Sequence, residues 1–445
     1  MAGNFFNKHF VVLMGNGVTS IIGLAMMYII LHNLSVEHAG LWFLLQSFVG
    51  FCEAGRYGLL ATATVKFYAG TTGDRSATVL GSVWFLALAL SALILLIDAL
   101  AFLYLPFTNN YEVILCVKWI GINYLSSLPS DVVFWRLQAD EEYTKMFWFR
   151  MINACSTLAS FIVLVVLHQF TLENVIIWNL LTNCSSSLIG IIWYRSGIQY
   201  VTRRTKECVA EIFHFGKFTF GTTQLSSLLG NADIWILNFV LGPVSITLYN
   251  MAMKLMAFVE LPLRSFTTTG FPEMAIAYNQ NNLHHVGYLF KKYSGMLSIV
   301  FIPAAVVTYF VAPTLMHLLG GHKYNGYTGH LAANVFRLTM VLAIIYPIDR
   351  FNGLALDVTG YAKTNFYKMI IVICIKLVFG LLLVEVLKNL YGIVIANYIS
   401  TIVAIIYGSY RLRKTVPHTI TGVFSTGFAE LLNLKNSISF RKNKN

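Results

Sequence analysis

The chain carries little charge for its length. Of its 445 residues only 11% are Asp, Glu, Lys or Arg, whereas 57% are hydrophobic. A soluble domain carries about a quarter charged residues, and this chain has no polar segment that would cover a soluble core. The low charge therefore excludes a soluble globular protein. It indicates a polytopic membrane protein, since apolar runs of roughly 20 residues match a bilayer.

Cysteine patterns and enzyme motifs are also absent. The six cysteines include no Cys-x-x-Cys and the eleven histidines include no His-Glu-x-x-His, so we expect neither a disulfide framework nor a metal site. The chain has no P-loop motif, which excludes ATP hydrolysis by that route. Its predicted outer loops are too short for the acidic metal site of a lipid-linked glycosyltransferase. We expect no catalytic residues and no cofactor.

Twelve apolar segments are long enough to span a bilayer. They lie at about residues 10–34, 39–65, 77–106, 112–138, 147–169, 172–194, 215–241, 244–272, 289–319, 331–357, 364–387 and 390–411. The predicted fold is therefore an all-α polytopic membrane protein with about twelve transmembrane helices.

Most basic residues fall on one side of this predicted topology. Twenty-two of the 31 Lys and Arg lie on the side of the N-terminus, against two, Lys323 and Lys388, on the other. The twenty-two are Lys8, Lys66, Arg75, Arg136, Lys145, Arg150, Arg195, Arg203, Arg204, Lys206, Lys217, Lys291, Lys292, Lys363, Lys368, Arg411, Arg413, Lys414, Lys435, Arg441, Lys442 and Lys444. Because cytoplasmic loops are rich in Lys and Arg, we predict both termini in the cytoplasm. Basic loops facing anionic lipid also explain the net charge of +12 without a nucleic-acid partner.

The longest predicted inner loop divides the segments six and six. The stretch "LSVEHAGLW" (34–42) before the second segment is similar to "LGPVSITLY" (241–249) before the eighth, and the same offset of 207 residues brings Glu260 opposite Glu53. We therefore predict two pseudo-symmetric six-helix lobes, residues 1–200 and 201–411, around a central cavity. Residues 412–445 are predicted to be a basic cytoplasmic tail, either an amphipathic surface helix or a frayed end.

Charged residues also lie inside the predicted spans. Glu53 and Arg56 are three positions apart in the second span, and Glu260 and Arg264 are four apart in the eighth, so each pair shares a helix face. Two interpretations stay open for these pairs. They are structural ion pairs near the inner interface, or they line an aqueous cavity.

Five further charged residues favour the aqueous cavity. Lys118, Asp233, Lys254, Arg337 and Lys376 lie in other spans, and seven cations lie within spans in all. Burying so many cations in a dry interior requires a well-placed carboxylate for each. Individual pairs, such as Asp233 with Lys254 on adjacent helices, remain an alternative. We predict a hydrated path for a polar substrate.

The second half of the chain resembles the Wzx-type polysaccharide flippase family. In "LNFVLGPVSITLYNMAMKLMAFVELPLRSFTTTGFPEMA" (237–275) the pair "LG", Tyr249 and Pro272 follow Asp233 in the order of that family's seventh and eighth helices. The chain departs from the family at Ile234, because an Arg usually follows the acidic residue there.

The first half carries a matching resemblance. In "EAGRYGLLATATVKFYA" (53–69), Glu53, Gly55 and Lys66 stand where the family has an acidic-x-Gly unit and a following basic residue. The resemblance extends over essentially the whole chain. It implies two six-helix lobes facing a central cavity, in the bacterial inner membrane.

The resemblance also implies a function. Such a protein flips undecaprenyl-diphosphate-linked oligosaccharides for O-antigen, capsule or exopolysaccharide synthesis. The partners that the resemblance implies are membrane lipids, a polysaccharide polymerase and a chain-length regulator. Because Arg and Lys are the usual partners of phosphate, we predict substrate binding by the cations within the spans and ion coupling, to H⁺ or Na⁺, by the acids. The predicted substrate-binding residues are Arg56, Lys118, Lys254, Arg337 and Lys376, and the predicted ion-coupling residues are Asp233, Glu53 and Glu260.

Other functions remain open at this stage. A multidrug or organic-cation antiporter of the same multidrug/oligosaccharidyl-lipid/polysaccharide exporter superfamily would prefer an acidic cavity. A lipid II flippase usually has two further helices. A membrane glycosyltransferase or polymerase would transfer sugar from a donor in a purified assay. A purely structural scaffold is disfavoured by the charges in the spans.

Overall fold

The described chain is built from helices. The computed structural model describes residues 2–194, 196–324, 326–417 and 421–442, with the side chains of all of these except 2–13, 16, 268, 269, 421 and 434–442. No β-strand occurs among these residues. Six of the basic residues counted above lie outside the described side chains, namely Lys8, Arg195, Lys435, Arg441, Lys442 and Lys444.

The chain divides into two compact units, residues 1–231 and 232–445. The first unit contains α1 (Ala2–Asn33), α2 (Val36–Tyr68), α3 (Gly73–Phe102), α4 (Tyr111–Ser126), α5 (Leu128–Ala139), α6 (Tyr143–Val166), α7 (Leu172–Ile192) and most of α8 (Lys206–Leu241). The second contains the end of α8, α9 (Pro243–Asn279), α10 (Leu283–Gly320), α11 (Tyr327–Ala343), α12 (Tyr346–Val358), α13 (Ala362–Leu387), α14 (Tyr391–Leu412) and α15 (Thr421–Lys442).

The boundary between the units falls inside α8, later than the predicted boundary at residue 200. The first part of α8 packs closely against α2, where a Cβ at Gly216 would collide with the carbonyl oxygen of Leu59. Thr219 Oγ1 also donates a hydrogen bond of 2.6 Å to the carbonyl of Gly58. These contacts join residues 206–231 to the first unit. The functional limits of the two lobes stay a prediction.

The helices are long and apolar enough for a multi-pass membrane protein. Within the described residues, eight helices qualify as membrane spans by length and composition. The pair of α11 and α12, bent by 44°, adds a ninth if the two helices are counted as one span. All twelve predicted segments are helical. The sequence-based expectation of an all-α membrane protein is confirmed, while the exact number of twelve spans stays a prediction.

Two of the predicted spans are broken at a proline. The fourth predicted segment is α4 followed by α5, with Pro129 in the first turn of α5, and the tenth is α11 followed by α12, with Pro347 in the first turn of α12. Proline lacks a backbone N–H and clashes with the preceding turn, so a helix ends before it or bends. Each proline is followed two positions later by an acid, Asp131 or Asp349.

The broken helices reveal more of the internal repeat. An offset of 218 residues aligns Pro129 with Pro347 and Asp131 with Asp349. The same offset aligns "YTKMFWFRMI" (143–152) with "YAKTNFYKMI" (361–370). The offset exceeds the 207 residues found earlier in the chain, and α10 has 38 residues where its counterpart α3 has 30. The longer α10 therefore accounts for most of the shift.

Part of the predicted tail, Thr421–Lys442, forms the helix α15. α15 packs along α10, where Gly295 and Gly427 meet so closely that a Cβ on either would collide with the backbone of the other helix. Lys292 and Glu430 form an ion pair of 3.8 Å across this contact. The placement of α15 as a surface helix of a cytoplasmic tail stays a prediction.

Candidate functional site: charged clusters within the membrane helices

The first cluster is centred on Arg56 of α2, whose side chain is completely buried. Its Nε and Nη2 donate to Asp131 Oδ2 at 3.1 and 2.6 Å. Its Nη1 donates to the carbonyl of Tyr124 at 2.7 Å, and its Nη2 also donates to Ser127 Oγ at 2.6 Å. The guanidinium lies 4.2 Å from the ring centroid of Tyr124. The guanidinium of Arg56 is therefore held by acceptors on both sides of the break between α4 and α5.

This arrangement corrects the predicted pairing of Glu53 with Arg56. Glu53 lies one turn earlier on α2, but it accepts a hydrogen bond of 2.7 Å from Ser127 Oγ and is not within ion-pair distance of Arg56. The break in the fourth span explains the change of partner, because it brings Asp131 and the Tyr124 carbonyl onto the guanidinium. Ser127 joins the two groups, since its hydroxyl accepts from Arg56 and donates to Glu53.

A polar cavity of about 280 Å³ lies beside this cluster, within the first unit. Its walls hold two carboxylates, five side-chain amides, two hydroxyls and one valine. The lining residues are Gln46, Val49, Glu53, Asn123, Ser127, Ser130, Asp131, Asn153, Asn179 and Asn183.

The cavity has unused acceptor capacity. Asn123 is 3% exposed, and its Nδ2 donates to the Trp119 carbonyl at 2.8 Å, while its Oδ1 accepts no hydrogen bond from the described residues. Formal charges on the described cavity side chains and Arg56 sum to one excess negative charge, because Arg56 offsets only one of the two carboxylates. A carboxylate in such surroundings favours a cation or a proton as its partner.

The second cluster lies in the second unit and is centred on Asp233 of α8. Asp233 and Lys376 of α13 are only 5% and 7% exposed, and Lys376 Nζ lies 2.9 Å from Asp233 Oδ1. Asp233 Oδ2 accepts from the hydroxyl of Tyr249 and, at 3.1 Å, from Asn397 Nδ2. One acid meets one cation here, so the pair is neutral.

This cluster also differs from the predicted pairing. The partner that the sequence predicts for Asp233 is Lys254, on the adjacent helix. In the structure the partner is Lys376, about 140 residues further along the chain. Of the predicted residues, Asp233 and Lys376 are thus brought together. Burial decides the partner, because a buried carboxylate needs a cation within contact distance.

The remaining predicted residues do not join either cluster. Glu260 pairs with Arg264 at 2.8 Å on an exposed face of α9, as their spacing predicts. Arg337 donates to the Tyr309 carbonyl at 2.8 Å and to Asn334 Oδ1 at 2.9 Å.

Two predicted lysines are exposed. Lys118 on α4 lies 5.3 Å from the ring centroid of Trp119, and Lys254 lies on α9. Neither forms an ion pair with a carboxylate that the structure describes. Among the described residues, no group of three or more His, Cys, Asp or Glu is placed to hold a metal ion.

Several residues of the clusters are not among those predicted from the sequence. Asp131 and Ser127 flank Pro129 in a predicted span, and that proline was the available signal for a break where polar groups collect. Asn153, Asn179 and Asn183 also lie within predicted spans, and a survey of amides in those segments would have pointed to the first unit. Asn397 carried no comparable signal.

The chain is similar to proteins of a known family. The model of the family described as "Polysaccharide biosynthesis protein" matches residues 63–328. A protein of Escherichia coli (strain K12) with the description "Putative O-antigen transporter" is 23% identical over 341 residues, which cover 72% of this chain and 77% of that protein.

Solved structures share the fold at low sequence identity. An inward-facing multidrug resistance MATE family transporter of the MOP superfamily superimposes with a TM-score of 0.74 at 15% identity, over 89% of this chain and 95% of that one. The lipid II flippase MurJ in an inward closed conformation gives a TM-score of 0.72 at 15% identity, over 94% and 90% of the two chains. These descriptions name transporters and flippases, not enzymes. Because the family model covers more than half of its length, the chain belongs to the polysaccharide biosynthesis protein family, and it has the two-lobed, all-helical membrane fold of the MOP superfamily.

Proposed function

We propose that this protein flips an undecaprenyl-diphosphate-linked oligosaccharide from the inner to the outer leaflet of the bacterial inner membrane. The product supplies O-antigen, capsule or exopolysaccharide synthesis, upstream of a polymerase and a chain-length regulator. The family match over residues 63–328 carries the proposal. It is supported by the sequence relative described as an O-antigen transporter and by the basic loops, which favour cytoplasmic termini.

The diphosphate needs a cation that no protein carboxylate already holds. Arg56 is bound to Asp131 and Lys376 is bound to Asp233, so neither cation is available to the diphosphate. Lys254 is exposed on α9 and forms no ion pair with the described carboxylates. Lysine is a common partner of phosphate, and we assign it a direct contact with the diphosphate.

The variant Lys254→Ala tests this assignment. Loss of one charge-assisted contact of about 1.5–3 kcal/mol weakens head-group binding about ten- to a hundredfold. Cells that rely on the variant should lose surface polysaccharide and accumulate the lipid-linked repeat unit, at an unchanged level of protein in the membrane.

The matched control is Lys363→Ala, which removes an exposed lysine at the start of α13. It should leave surface polysaccharide at the parental level. Parental polysaccharide in the Lys254→Ala cells would remove Lys254 from the binding site. If depletion of the whole protein leaves surface polysaccharide unchanged, the proposed function itself is wrong.

We also propose that Glu53 takes up the coupling cation, H⁺ or Na⁺. Glu53 borders the polar cavity of the first unit, which carries one excess negative charge and oxygen ligands from amides and hydroxyls. Asp233 is also a predicted ion-coupling residue, but its carboxylate already has the Lys376 ammonium at 2.9 Å. An external cation at Asp233 would have to displace that ammonium, whereas Glu53 has no cation to displace within the described residues.

The variant Glu53→Gln tests the coupling. It keeps the shape and removes the charge, so proteoliposomes with the variant should bind substrate but transport it at a rate that no longer responds to an imposed gradient. A pH gradient without Na⁺ and a Na⁺ gradient at constant pH, applied separately to the parental protein, identify the ion.

Two further variants serve as comparisons. Glu260→Gln changes an exposed acid that is already paired with Arg264 and should keep the parental response. Asp233→Asn should disturb folding more than coupling, because it leaves Lys376 buried without a carboxylate. An undiminished response to the gradient in Glu53→Gln would rule out Glu53 as the coupling group.

A further inference from the structure

A second cavity lies at the basic loop before α8. Its charged lining residues are cations, whereas those of the first cavity are carboxylates. The second cavity measures about 730 Å³, within the roughly 300–1,000 Å³ of typical ligand sites, and it lies wholly in the first unit. α3, the turn at Ile198–Arg203 and the start of α8 form its walls. We call it the loop groove. Its lining residues are Phe85, Leu86, Thr202, Arg204, Thr205, Lys206, Val209, Ala210 and Phe213.

The walls of the loop groove are fixed in place by specific contacts. Trp84 of α3 donates a hydrogen bond of 2.9 Å from its indole N–H to the carbonyl of Ser196. Gly81 allows the turn to approach α3, because a Cβ there would collide with the Tyr200 carbonyl. Arg75 bridges α3 to α8 through Glu211 at 2.8 Å. The groove is therefore preformed and does not need to assemble around its occupant.

Two cations of the groove have no carboxylate partner among the described residues, although Arg204 Nη1 donates a hydrogen bond of 3.1 Å to the Val201 carbonyl. Asp74 is paired with Arg203 at 3.4 Å, and Glu211 is paired with Arg75. Arg204 and Lys206 form no ion pair with the described carboxylates, and Glu207, the remaining acid of this region, does not line the groove. Arg204 lies 4.4 Å from the ring centroid of Phe85. Two positive charges thus stand at the edge of an apolar wall.

The lining has the two-part chemistry of a lipid with a phosphorylated head. Phe85, Leu86, Val209 and Phe213 offer hydrocarbon contact, while Arg204, Lys206 and the hydroxyls of Thr202 and Thr205 offer donors to oxyanions. The diphosphate diester of a lipid-linked repeat unit carries two negative charges, which match the two cations that lack a carboxylate partner. A phosphodiester phospholipid such as phosphatidylglycerol carries only one. The charge match favours the diphosphate.

We propose that the loop groove is a docking site for the diphosphate head and the first isoprene units of the polyprenyl carrier lipid, occupied before translocation. This proposal rests on the proposed flippase function and adds to it a place where the carrier is captured. The basic residues of the loop predict a cytoplasmic location, which is the side on which a lipid-linked repeat unit would be loaded. Arg204 and Lys206 bind the diphosphate, and Phe85 and Phe213 contact the chain.

The test measures binding of undecaprenyl diphosphate to the full-length protein in nanodiscs of zwitterionic lipid, by native mass spectrometry. The double variant R204A/K206A should bind at least about tenfold more weakly than the parental protein, because two charge-assisted contacts are removed. The charge-retaining variant R204K/K206R should bind within a few-fold of the parental protein. A second double variant, K363A/K414A, removes the same charge from two exposed lysines outside the groove and should bind normally.

Competition experiments separate the carrier from other phosphates. Phosphatidylglycerol at an equal mole fraction and free pyrophosphate should each displace the carrier poorly. Equal displacement by phosphatidylglycerol would make the groove a general site for anionic lipid. Binding of pyrophosphate as tight as that of the carrier would show that the apolar wall contributes nothing. Either result overturns the proposal.

The binding test and the test of function fail in different ways. If R204A/K206A binds the carrier as the parental protein does, the groove assignment is wrong, while surface polysaccharide in the same cells still reports on the flippase function. If the parental protein does not bind the carrier, the groove proposal fails. If its depletion also leaves surface polysaccharide intact, the flippase function fails with it.

Discussion

Arg56 and Glu53 are neighbours on one helix face, yet of the two only Arg56 forms an ion pair among the described residues. Arg56 is bound by Asp131, 75 residues later in the chain, and Glu53 by Ser127. The i, i+3 spacing favours a pair that is worth only about 0.2–0.5 kcal/mol in an isolated helix. A buried guanidinium instead requires several acceptors at once, and the break between α4 and α5 supplies a carboxylate, a carbonyl and a hydroxyl together.

The variant Asp131→Asn should strongly destabilise the protein. Removing one partner of a buried ion pair costs about 3–5 kcal/mol, and we expect about 3 kcal/mol, the lower end, because 32% of the Asp131 side chain is exposed. The measurement is the thermal unfolding midpoint of the purified protein in detergent. Glu260→Gln, which breaks the exposed pair with Arg264, should cost about 0–1 kcal/mol. Equal midpoints for the two variants would contradict a structural role for the Arg56–Asp131 pair.

At the scale of elements, small residues and prolines decide where helices meet and where they break. Pro129 and Pro347 each start a half-helix with an acid in its first turn. In the second unit Asp349 binds Lys368 of α13 at 2.7 Å, whereas in the first Asp131 binds Arg56 of α2. The Pro-x-Asp element is thus used twice to hold a cation, which comes from a different helix in each unit.

The contact between α10 and α15 depends on glycine and provides an element-scale prediction. In the variant Gly295→Ala, the added Cβ would collide with the Val423 carbonyl, so α15 must move away at an expected cost of about 1–3 kcal/mol. A cysteine at the buried position Val423, in a variant without the native cysteines, should then react faster with a maleimide.

The control for this experiment is Gly50→Ala on α2, where a Cβ would meet nothing within 4 Å. It should leave the reaction rate of the cysteine at position 423 unchanged. A parental rate in the Gly295→Ala protein would show that the position of α15 does not depend on this glycine contact.

At the scale of the whole molecule, the two units share a repeated fold but differ in their charges. In the second unit the buried acid Asp233 forms an ion pair with Lys376 of the same unit. The first unit holds two carboxylates, one guanidinium and a polar cavity of about 280 Å³. The repeat therefore accounts for the similar order of helices in the two units. Differences between charged residues within the spans account for the neutral pair in the second unit and the excess negative charge in the first. The proposed coupling site and the proposed docking groove both belong to the first unit.

The positions of the apolar helices could be predicted from the sequence, because the length of an apolar segment is a local property that is matched to the thickness of a bilayer. The twelve predicted segments are all helical, and the repeat was visible from residues such as Glu53 and Glu260. Low charge content was sufficient to set the fold class. The resemblance to polysaccharide flippases, carried by Asp233 and Tyr249, was sufficient to set the family.

The pairing of the charged residues between helices could not be predicted from the sequence. Arg56 with Asp131 and Asp233 with Lys376 join helices that are distant in sequence, and helical periodicity holds no information about such pairs. The physical reason is desolvation: inside a membrane protein, a charge is stable only where the packed helices bring a partner within contact distance, whatever its position in the chain. The same packing gives Arg56 to Asp131 and leaves Glu53 with a hydrogen bond from Ser127 in place of an ion pair among the described residues.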